Sequence, residues 1–298
     1  MTTSFTKPYK NPSDLIALLQ SRGLIIADTP KAETILRAVG YYRFSAYLYP
    51  FIASPKENHI YKQGSRFEDA LLLYQFDHRL RLFLFDVIAK VEIGVRSAIA
   101  NLGSKFLNDK FWITNPVSYA NPQKFRKTID LINAEYNRSR EDFIEHFRIS
   151  YSDPYPPAWE LIEILPFGVV TRIYENISDF KVQKKIAQYF ALNIPVFKSW
   201  LTIVTLTRNA CCHHSRIWNK ANTIRSLAIR RPSRPWISTL VNSLRIFYDM
   251  CIIKWFLDII MPGNHMKDSL KKLLQEFPTV DIAAMGFPAD WENEPLWK

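Results

Sequence analysis

The sequence predicts an all-α fold, and three features of it carry this prediction. Apolar residues recur at spacings of three and four from Phe67 to about Phe106, which is the period of a long amphipathic helix. Two shorter segments before it begin with Asn11-Pro12 and Thr29-Pro30 and end at Gly23 and Gly40, which are helix start and stop signals. No segment alternates apolar and polar residues for more than a few positions, so helices alone must build the core.

The first 66 residues predict a module of three short helices. Asn11 fits an N-cap and Pro12 a first helical position, and the segments that follow are separated by glycines. Three short helices joined by tight turns resemble a helix-turn-helix-like module. A helical cap packed on the main body fits the same pattern, and the segment lacks the basic face that DNA reading needs. The expected elements are a helix from Pro12 to before Gly23, a second from Thr29 to Gly40 and a third at Tyr41–Phe51.

A polar stretch, Ser54–Ser65, predicts a linker, because it contains Pro, Gly and Asn. We expect residues 67–262 to form the main helical domain and residues 263–298 to form a C-terminal helical tail. Within the main domain the apolar run Trp236–Met261 predicts a long final helix that Pro262-Gly263 ends. The other predicted helices are Gln123–Arg138, Arg140–Ser150, Ala158–Leu165, Phe167–Ile177, Phe180–Ala191 and one that Pro195 opens.

The positive charge of the chain is concentrated in one segment. The net charge is +11, yet residues 180–248 contain twelve Lys and Arg and no acid, while the rest has 27 cations against 28 acids. Counterion release favours the binding of such a segment to RNA or DNA. A basic face that only keeps the protein soluble is the alternative.

Several classes of protein are disfavoured by composition. Only 8 glycines occur and no Gly-rich phosphate loop is present, so a nucleotide cofactor is not expected. The most apolar run, Ile246–Met261, is interrupted by Asp249, Lys254 and Asp258, which predicts a buried helix and no membrane span. Three cysteines and no export signal at the start predict a reducing, cytoplasmic location.

The residues most suited to chemistry lie in the stretch Leu201–Lys220. Asn209 and His213 are four apart and share a helix face. Arg208 and His213 are five apart, about 140° around a helix axis. Both could therefore reach one phosphate if the helix unwinds after Cys211, or if a second copy of the chain supplies the missing group.

With both groups present, the stretch could cleave a phosphodiester without a metal. His213 could act as the acid or base at the 2′-hydroxyl or the leaving oxygen. Arg208 could hold the phosphate and stabilise its developing charge, and Asn209 could orient the imidazole. The spacing R-x₄-H recurs by chance, so its acid-free, basic surroundings, with Trp218 and Trp236 near for base stacking, carry the interpretation.

Three other interpretations of this stretch stay open at this point. Cys211, Cys212, His213 and His214 are all zinc-ligand types, but adjacent helical residues point about 100° apart and no CxxC pair is present. A Cys–His nucleophile pair would need an oxyanion site that the sequence does not show. The Arg and His could also simply cap a polar helix end or stack on Trp218.

Five blocks of sequence carry a resemblance to a known family. They are Gly40-Tyr41-Tyr42-Arg43-Phe44-Ser45, Phe76-Asp77-His78-Arg79-Leu80-Arg81, Val91-Glu92-Ile93-Gly94-Val95-Arg96, Pro156-Pro157-Ala158-Trp159-Glu160 and Arg208-Asn209-Ala210-Cys211-Cys212-His213-His214-Ser215-Arg216-Ile217-Trp218-Asn219. In these blocks the chain resembles the Abi-like proteins, the AbiD/AbiF group of bacterial abortive-infection factors. The resemblance covers roughly residues 5–260, and its last block is the most specific. Cys212 stands where we expect Ala in that block, and it is similarly small.

This resemblance implies a HEPN-type helical bundle in which Arg208 and His213 form the R-x₄-H pair of a metal-independent ribonuclease. Such nucleases pair two motifs, and this chain has one, so the resemblance implies a homodimer. It also implies RNA products with a 2′,3′-cyclic phosphate and a 5′-hydroxyl, and a toxin restrained by a partner such as a small structured RNA.

The predicted function is therefore a metal-independent endoribonuclease that cuts single-stranded RNA in phage defence, with no cofactor. The alternative is a non-cleaving RNA-binding protein held by a structured RNA antitoxin. A DNA-binding regulator that uses residues 1–66 is the third hypothesis. Asn209 joins Arg208 and His213 as a catalytic candidate. The supporting candidates are His214, Arg216, Glu92 and Arg96, and the RNA-binding candidates are Lys220, Arg225, Arg230, Arg231, Arg234 and Trp218.

Overall fold

The computed structural model describes Ser4, Thr6 and residues 8–298, and it confirms the all-α prediction. Apart from three isolated β-bridges, every regular element of these residues is a helix. Short 3₁₀ turns supplement the α-helices. The α-helices are α1 Pro12–Ser21, α2 Thr29–Val39, α3 Tyr41–Leu48, α4 Phe67–Leu107, α5 Pro122–Arg138, α6 Asp142–Ser150, α7 Ala158–Leu161, α8 Phe167–Glu175, α9 Phe180–Tyr189, α10 Ile194–Cys212, α11 Ile246–Ile260 and α12 Met266–Glu276.

The helix starts and stops follow the expected local signals. Asn11 caps α1, since its side chain accepts the backbone N–H of Asp14 at 2.9 Å. In α2 the cap is Asp28, one residue earlier than the Thr29-Pro30 signal. Gly40 has φ of +82°, a backbone conformation that residues other than glycine rarely adopt. It separates α2 from α3. Capping residues therefore place helix ends to within a residue or two.

The chain divides into two compact units. One contains residues up to Leu80 together with 273–280, and the other contains 81–272 together with 281–298. These units differ from the predicted segments 1–66, 67–262 and 263–298, because α4 continues from one unit into the other and the tail is shared between them. The division into three segments stays a prediction.

In the first unit, α1 to α3 pack beside the start of α4. Phe44 of α3 stacks on Phe67 of α4 with ring centroids 4.7 Å apart, and the Tyr47 hydroxyl donates to Asp77 at 2.5 Å. The stretch 54–65, expected to be a linker, is tied down by backbone hydrogen bonds. The N–H of Tyr61 donates to the carbonyl of Arg22 at 2.9 Å, so this stretch is an integral part of the unit.

The core of the second unit is built around α10. This helix packs against α8, α9 and α11, and its apolar residues are buried on several faces. Phe197 stacks on Phe190 at 5.1 Å, and Trp200 meets Trp255 of α11 edge-on at 5.7 Å. The aromatic packing fixes the axis of α10, and with it the position of the side chains at its C-terminal end.

The predicted helix Trp236–Met261 is wrong over its first ten residues, since α11 begins only at Ile246. Residues 236–245 are irregular because their polar groups have distant partners. The carboxylate of Glu294 accepts the backbone N–H of Ser238 at 2.6 Å and that of Thr239 at 3.2 Å. The ring of Trp236 stacks on Trp200 at 5.0 Å. These contacts stabilise an extended path that helical pairing would break.

No single helix of the described residues has the length and hydropathy of a membrane span. The helices α9 and α10 reach those limits only when taken together, and they are bent by 62° at their junction. Most of the apolar residues of α10 are buried inside the second unit.

Replacing Gly103 with alanine is expected to destabilise the second unit by about 1–3 kcal/mol. A Cβ atom at this position of α4 would lie 2.5 Å from the ring of Trp112, which is itself fully buried. The matched control is Gly168→Ala in α8, where the nearest atom is 3.9 Å away. There the change should be neutral or stabilising, because alanine favours helix. Urea unfolding of both variants checks the prediction, and an equal effect in the two would contradict it.

Candidate functional site

The helix α10 ends in a motif that turns the chain sharply at the histidine pair. The N–H of Ser215 donates to the carbonyl of Ala210 at 2.9 Å, and that of His214 to Cys211 at 3.1 Å. This pattern is a Schellman motif, in which the residue after the C-cap is left-handed. That residue is His214, with φ of +53°. The helix thus ends at Cys212, one residue later than the expected unwinding after Cys211, and His213 lies outside it as the C-cap.

Both histidine side chains reach solvent at this turn. His213 and His214 are exposed, whereas Cys211 is buried. The side chain of His213 makes no hydrogen bond to the residues that the structure describes. An imidazole in this position is accessible to a substrate and able to accept or donate a proton.

Arg208, one turn before the histidines, lies against acidic and basic side chains of α4. Its Nε is 3.5 Å from Glu92 Oε2, and the other oxygen of Glu92 is 3.7 Å from Arg96 Nη2. Both distances exceed those of good hydrogen bonds, so the three groups are held mainly by charge. Side-chain exposure is 33% for Arg208 and 11% for Glu92. The arginine can therefore reach solvent while its position is set by a nearly buried carboxylate.

Arg96 is fixed from its far side as well. Its Nη1 donates to the carbonyl of Ile162 at 2.8 Å and also to that of Leu165. Burial lowers the pKa of Arg96, and the Glu92 carboxylate acts in the opposite direction. The structure thus brings together the four candidates Glu92, Arg96, Arg208 and Asn209, whose Oδ1 lies 3.4 Å from Arg208 Nη1.

Two residues near the site were not among the sequence candidates. Arg81 of α4 is 4% exposed, and its Nη1 donates to the carbonyl of Ser215 at 3.3 Å, so it holds the turn after the histidines. Asp249 of α11 is 1% exposed and accepts the hydroxyl of Thr207, the residue before Arg208, at 3.1 Å. Arg81 lies in one of the sequence blocks that resemble the family, so the sequence did contain a signal for this residue. Asp249 was noted only as a break in an apolar run.

After the histidines, residues 213–245 form an irregular segment, which we call the basic loop. It is anchored through groups other than its exposed cations. The indole N–H of Trp200 donates to the carbonyl of Leu227 at 2.9 Å, and the N–H of Leu227 donates to Ser199 Oγ at 2.8 Å. At its end Glu294 accepts the hydrogen bonds already described. Burial would raise the pKa of Glu294, but the hydrogen bonds from Thr239 and Ser238 outweigh it, and the pKa is lowered.

Five cationic candidates of the basic loop have side chains exposed to solvent. None of these five side chains forms an ion pair with any residue in the described part of the chain. Arg216 is partly buried, and Arg245 donates to Asn219 at 3.0 Å and so has a structural contact. The five exposed candidates are Lys220, Arg225, Arg230, Arg231 and Arg234.

Trp218 does not fit its predicted role in base stacking. Its side chain is 3% exposed, because the chain turns inward after the Schellman motif and packs Ile217 and Trp218 into the second unit. Trp236 is engaged with Trp200 and Trp255 at 5.0 and 5.6 Å. Neither indole therefore offers an open face for a base in this conformation.

The described residues contain no group of three or more potential ligands placed to hold a metal ion. None of the three cysteines, all of which the structure describes, forms a disulfide. Cys251 is fully buried, burial raises its pKa, and its Sγ lies 3.3 Å from the indole nitrogen of Trp297. Cys251 thus behaves as a small apolar residue, because the thiolate that zinc binding or nucleophilic attack needs is disfavoured there.

A family model described as Abi-like protein matches residues 34–219, from α2 to just beyond the Schellman turn. The chain belongs to the Abi-like protein family. Neither the curated proteins nor the solved structures gave a match.

Membership of the Abi-like family implies a part in abortive infection, a bacterial defence against phage. The matched region of this Abi-like chain contains Glu92, Arg96, Arg208 and His213, whereas most of the basic loop and all of α11 lie beyond it. Asp249 and the exposed arginines are therefore features that the family match does not cover.

The buried carboxyl of Asp249 predicts a pH-dependent stability. Burial raises its pKa to about 7 from 3.8, although hydrogen bonds from Asn222 and Thr207 act to lower it. The folded state thus holds a proton between about pH 4 and 7 that the unfolded state has released. The contribution of this proton to the free energy of unfolding is therefore complete below pH 4. It is lost as pH rises through 7, and the loss is at most roughly 4 kcal/mol.

Asp249→Asn should remove this pH dependence, because an amide does not titrate there. Urea unfolding of wild type and variant at pH 5 and pH 8 is the measurement. We expect wild type to lose unfolding free energy between pH 5 and pH 8, whereas the variant should not, so that the variant gains stability relative to wild type at pH 8. Asp153→Asn, at an exposed position, is the control, and it should leave the pH dependence unchanged. An equal change in unfolding free energy between pH 5 and pH 8 for wild type and Asp249→Asn would contradict the prediction.

Proposed function

We propose that this Abi-like chain is a metal-independent HEPN endoribonuclease that cuts single-stranded RNA as a toxin in phage defence. The observation that carries the proposal is the arrangement at the end of α10. There an exposed imidazole, His213, follows a partly exposed guanidinium, Arg208, and the chain then enters a loop of exposed cations. The family supports the defence role, and these side chains support the chemistry.

His213 and Arg208 have the chemistry that transesterification of RNA needs. The 2′-oxygen attacks the adjacent phosphorus, and the bond from phosphorus to the 5′-oxygen breaks. A neutral imidazole takes the 2′-hydroxyl proton, and a protonated one supplies the proton that the leaving 5′-oxygen acquires. The guanidinium of Arg208 stabilises the charge on the phosphate oxygens. The products are a 2′,3′-cyclic phosphate and a 5′-hydroxyl, and neither transfer requires a metal ion.

Glu92 keeps Arg208 in place without consuming its hydrogen-bonding capacity. The 3.5 Å contact is too long for a good hydrogen bond, so a phosphate can still engage the donors of the guanidinium. Arg96 balances the charge of Glu92 from the other side. We assign Glu92 and Arg96 supporting roles, Asn209 a role in orienting the site, and His214 and Arg216 roles at its edge.

We further propose that the active enzyme is a homodimer in the cytoplasm. Each cleavage requires one base and one acid, and a single His213 serves as only one of them at a time. A second chain would supply the other imidazole. The three free cysteines are compatible with a reducing compartment.

A second candidate function is an RNA-binding protein that does not cleave, held by a structured RNA antitoxin. The observation that favours it is the basic loop itself, because its anchored backbone and its five exposed cations can bind phosphates without any chemistry at His213. A mixed-sequence single-stranded RNA, incubated with the protein in EDTA, separates the two. Cleavage to cyclic phosphate ends supports the nuclease. Tight binding without cleavage supports the second candidate, and cleavage only with added metal would overturn the metal-independent mechanism.

A further inference from the structure

Asp249 is a carboxyl group buried where only apolar packing is expected. Every residue of α11 from Ile246 to Leu257 is buried, and Asp249 itself is 1% exposed. No cation forms an ion pair with it in the part of the chain that the structure describes. Burying a carboxyl without a charged partner is costly, and an apolar residue of similar size would usually be more stable. Packing alone therefore gives no reason for an acid at this position.

The contacts of Asp249 join the end of α10 to the basic loop. Its Oδ2 accepts the Thr207 hydroxyl at 3.1 Å and the Asn222 amide at 2.8 Å. Thr207 precedes Arg208 in α10, and Asn222 lies in the loop after the histidine turn. The backbone N–H of Asn222 in turn donates to the carbonyl of Leu244 at 2.8 Å. One carboxylate oxygen thus ties α11 to α10 and to Asn222 of the basic loop, and Asn222 is itself paired with Leu244 near the end of that loop.

The groups that hydrogen-bond to the carboxyl from outside α11 are polar and uncharged. The hydroxyl of Thr207 comes from α10 and the amide of Asn222 from the basic loop. Its second oxygen, Oδ1, is buried without a hydrogen-bond partner in the described structure. The carboxyl is therefore held by two contacts, and both lead to elements of the candidate site.

We propose that Asp249 is a positioning residue of the candidate site, which fixes the basic loop relative to the end of α10. In this role it aligns the loop cations with Arg208 and His213, so that one RNA strand contacts both. The alignment part of the proposal rests on the proposed function. The tie between loop and helix does not, and it can be measured without any RNA.

The test compares Asp249→Leu with two matched threonine variants. Thr207→Val removes a hydroxyl that donates to Asp249, whereas Thr171→Val removes an equally buried helical hydroxyl whose acceptor is the carbonyl of Gly168 at 3.0 Å. Three readouts are needed, namely hydrogen exchange over residues 213–245, the midpoint of urea unfolding, and kcat with KM for RNA cleavage in EDTA. Asp249→Asn is the conservative variant, because its amide oxygen can accept both hydrogen bonds.

For Asp249→Leu we expect loop exchange at least about tenfold faster and kcat at least about tenfold lower, with a midpoint equal to or above that of wild type. Thr207→Val should shift exchange and kcat in the same direction, and Thr171→Val should shift neither. In Asp249→Asn, the rate of loop exchange and kcat should both stay within about threefold of wild type. A purely structural role would instead lower the midpoint and the activity together.

Unchanged loop exchange in Asp249→Leu would overturn the proposal. If that variant does not fold, Thr207→Val decides, and loop exchange equal to that of Thr171→Val would overturn it. If wild type does not cleave RNA, the proposed nuclease function fails, while the exchange data still decide whether Asp249 holds the loop. Faster loop exchange with unchanged kcat and KM would overturn the positioning role.

Discussion

Replacing His213 with glutamine is expected to lower the rate of RNA cleavage by roughly 10²–10⁴-fold, the usual contribution of a general acid or base. Glutamine preserves the polarity and approximate size of the side chain but neither accepts nor releases a proton near neutral pH. If His213 from each of two chains takes part, both are removed at once, and the effect lies at the upper end of this range.

The same variant should fold as stably as wild type. His213 is exposed, and its imidazole makes no hydrogen bond to the residues that the structure describes. Its backbone N–H donates to the carbonyl of Asn209 at 2.9 Å, and glutamine retains that bond. Surface substitutions of this kind usually change stability by less than about 0.5 kcal/mol. Loss of activity would then reflect chemistry and not unfolding.

His146→Gln is the matched control, because His146 is an exposed histidine of α6. It should leave the cleavage rate unchanged. Gel analysis of a labelled single-stranded RNA in EDTA gives the rates, and urea unfolding gives the stabilities. Cleavage by His213→Gln at the wild-type rate would rule out the imidazole as acid or base and would mean that another group performs the cleavage.

The local parts of this fold were predictable because their causes are local. Asn11 and Pro12 define a helix start within a few residues of chain, and the spacing of apolar residues predicted α4 almost to its end. The expected proximity of Glu92 and Arg96 followed from helical periodicity alone. That both lie beside Arg208 depends on the packing of α4 with α10, and here the resemblance to a family supplied what the spacing could not.

The errors have long-range causes. The segment 236–245 looks helical by composition, but the backbone N–H groups of Ser238 and Thr239 donate to Glu294, more than fifty residues later. Trp218 is close in sequence to the cations, yet the turn at His214 directs it inward. The partners of Asp249 lie 42 and 27 residues away in the chain. No pattern within a helical window indicates such partners, so the link between Asp249 and the site could be found only in three dimensions.

Replacing Arg230, Arg231 and Arg234 with glutamine is expected to weaken the binding of single-stranded RNA strongly and to reduce its salt dependence. All three are exposed, and the loop that contains them is held by other residues. If each contacts one phosphate, the slope of log affinity against log salt should become shallower by about 2. This corresponds to binding about a hundredfold weaker at 0.1 M salt, if both proteins bind equally at 1 M.

The matched control changes the same number of charges on another element. Lys124, Arg126 and Lys127 are exposed cations of α5, and their replacement by glutamine lowers the net charge equally. Fluorescence anisotropy of a labelled RNA from 0.05 to 1 M salt, using His213→Gln as the background to prevent cleavage, gives both slopes. If the two triple variants lose affinity to the same extent, net charge alone attracts the RNA, and the basic loop is not its binding surface. A loss confined to the loop variant would identify the exposed arginines of the basic loop as the surface that binds RNA phosphates.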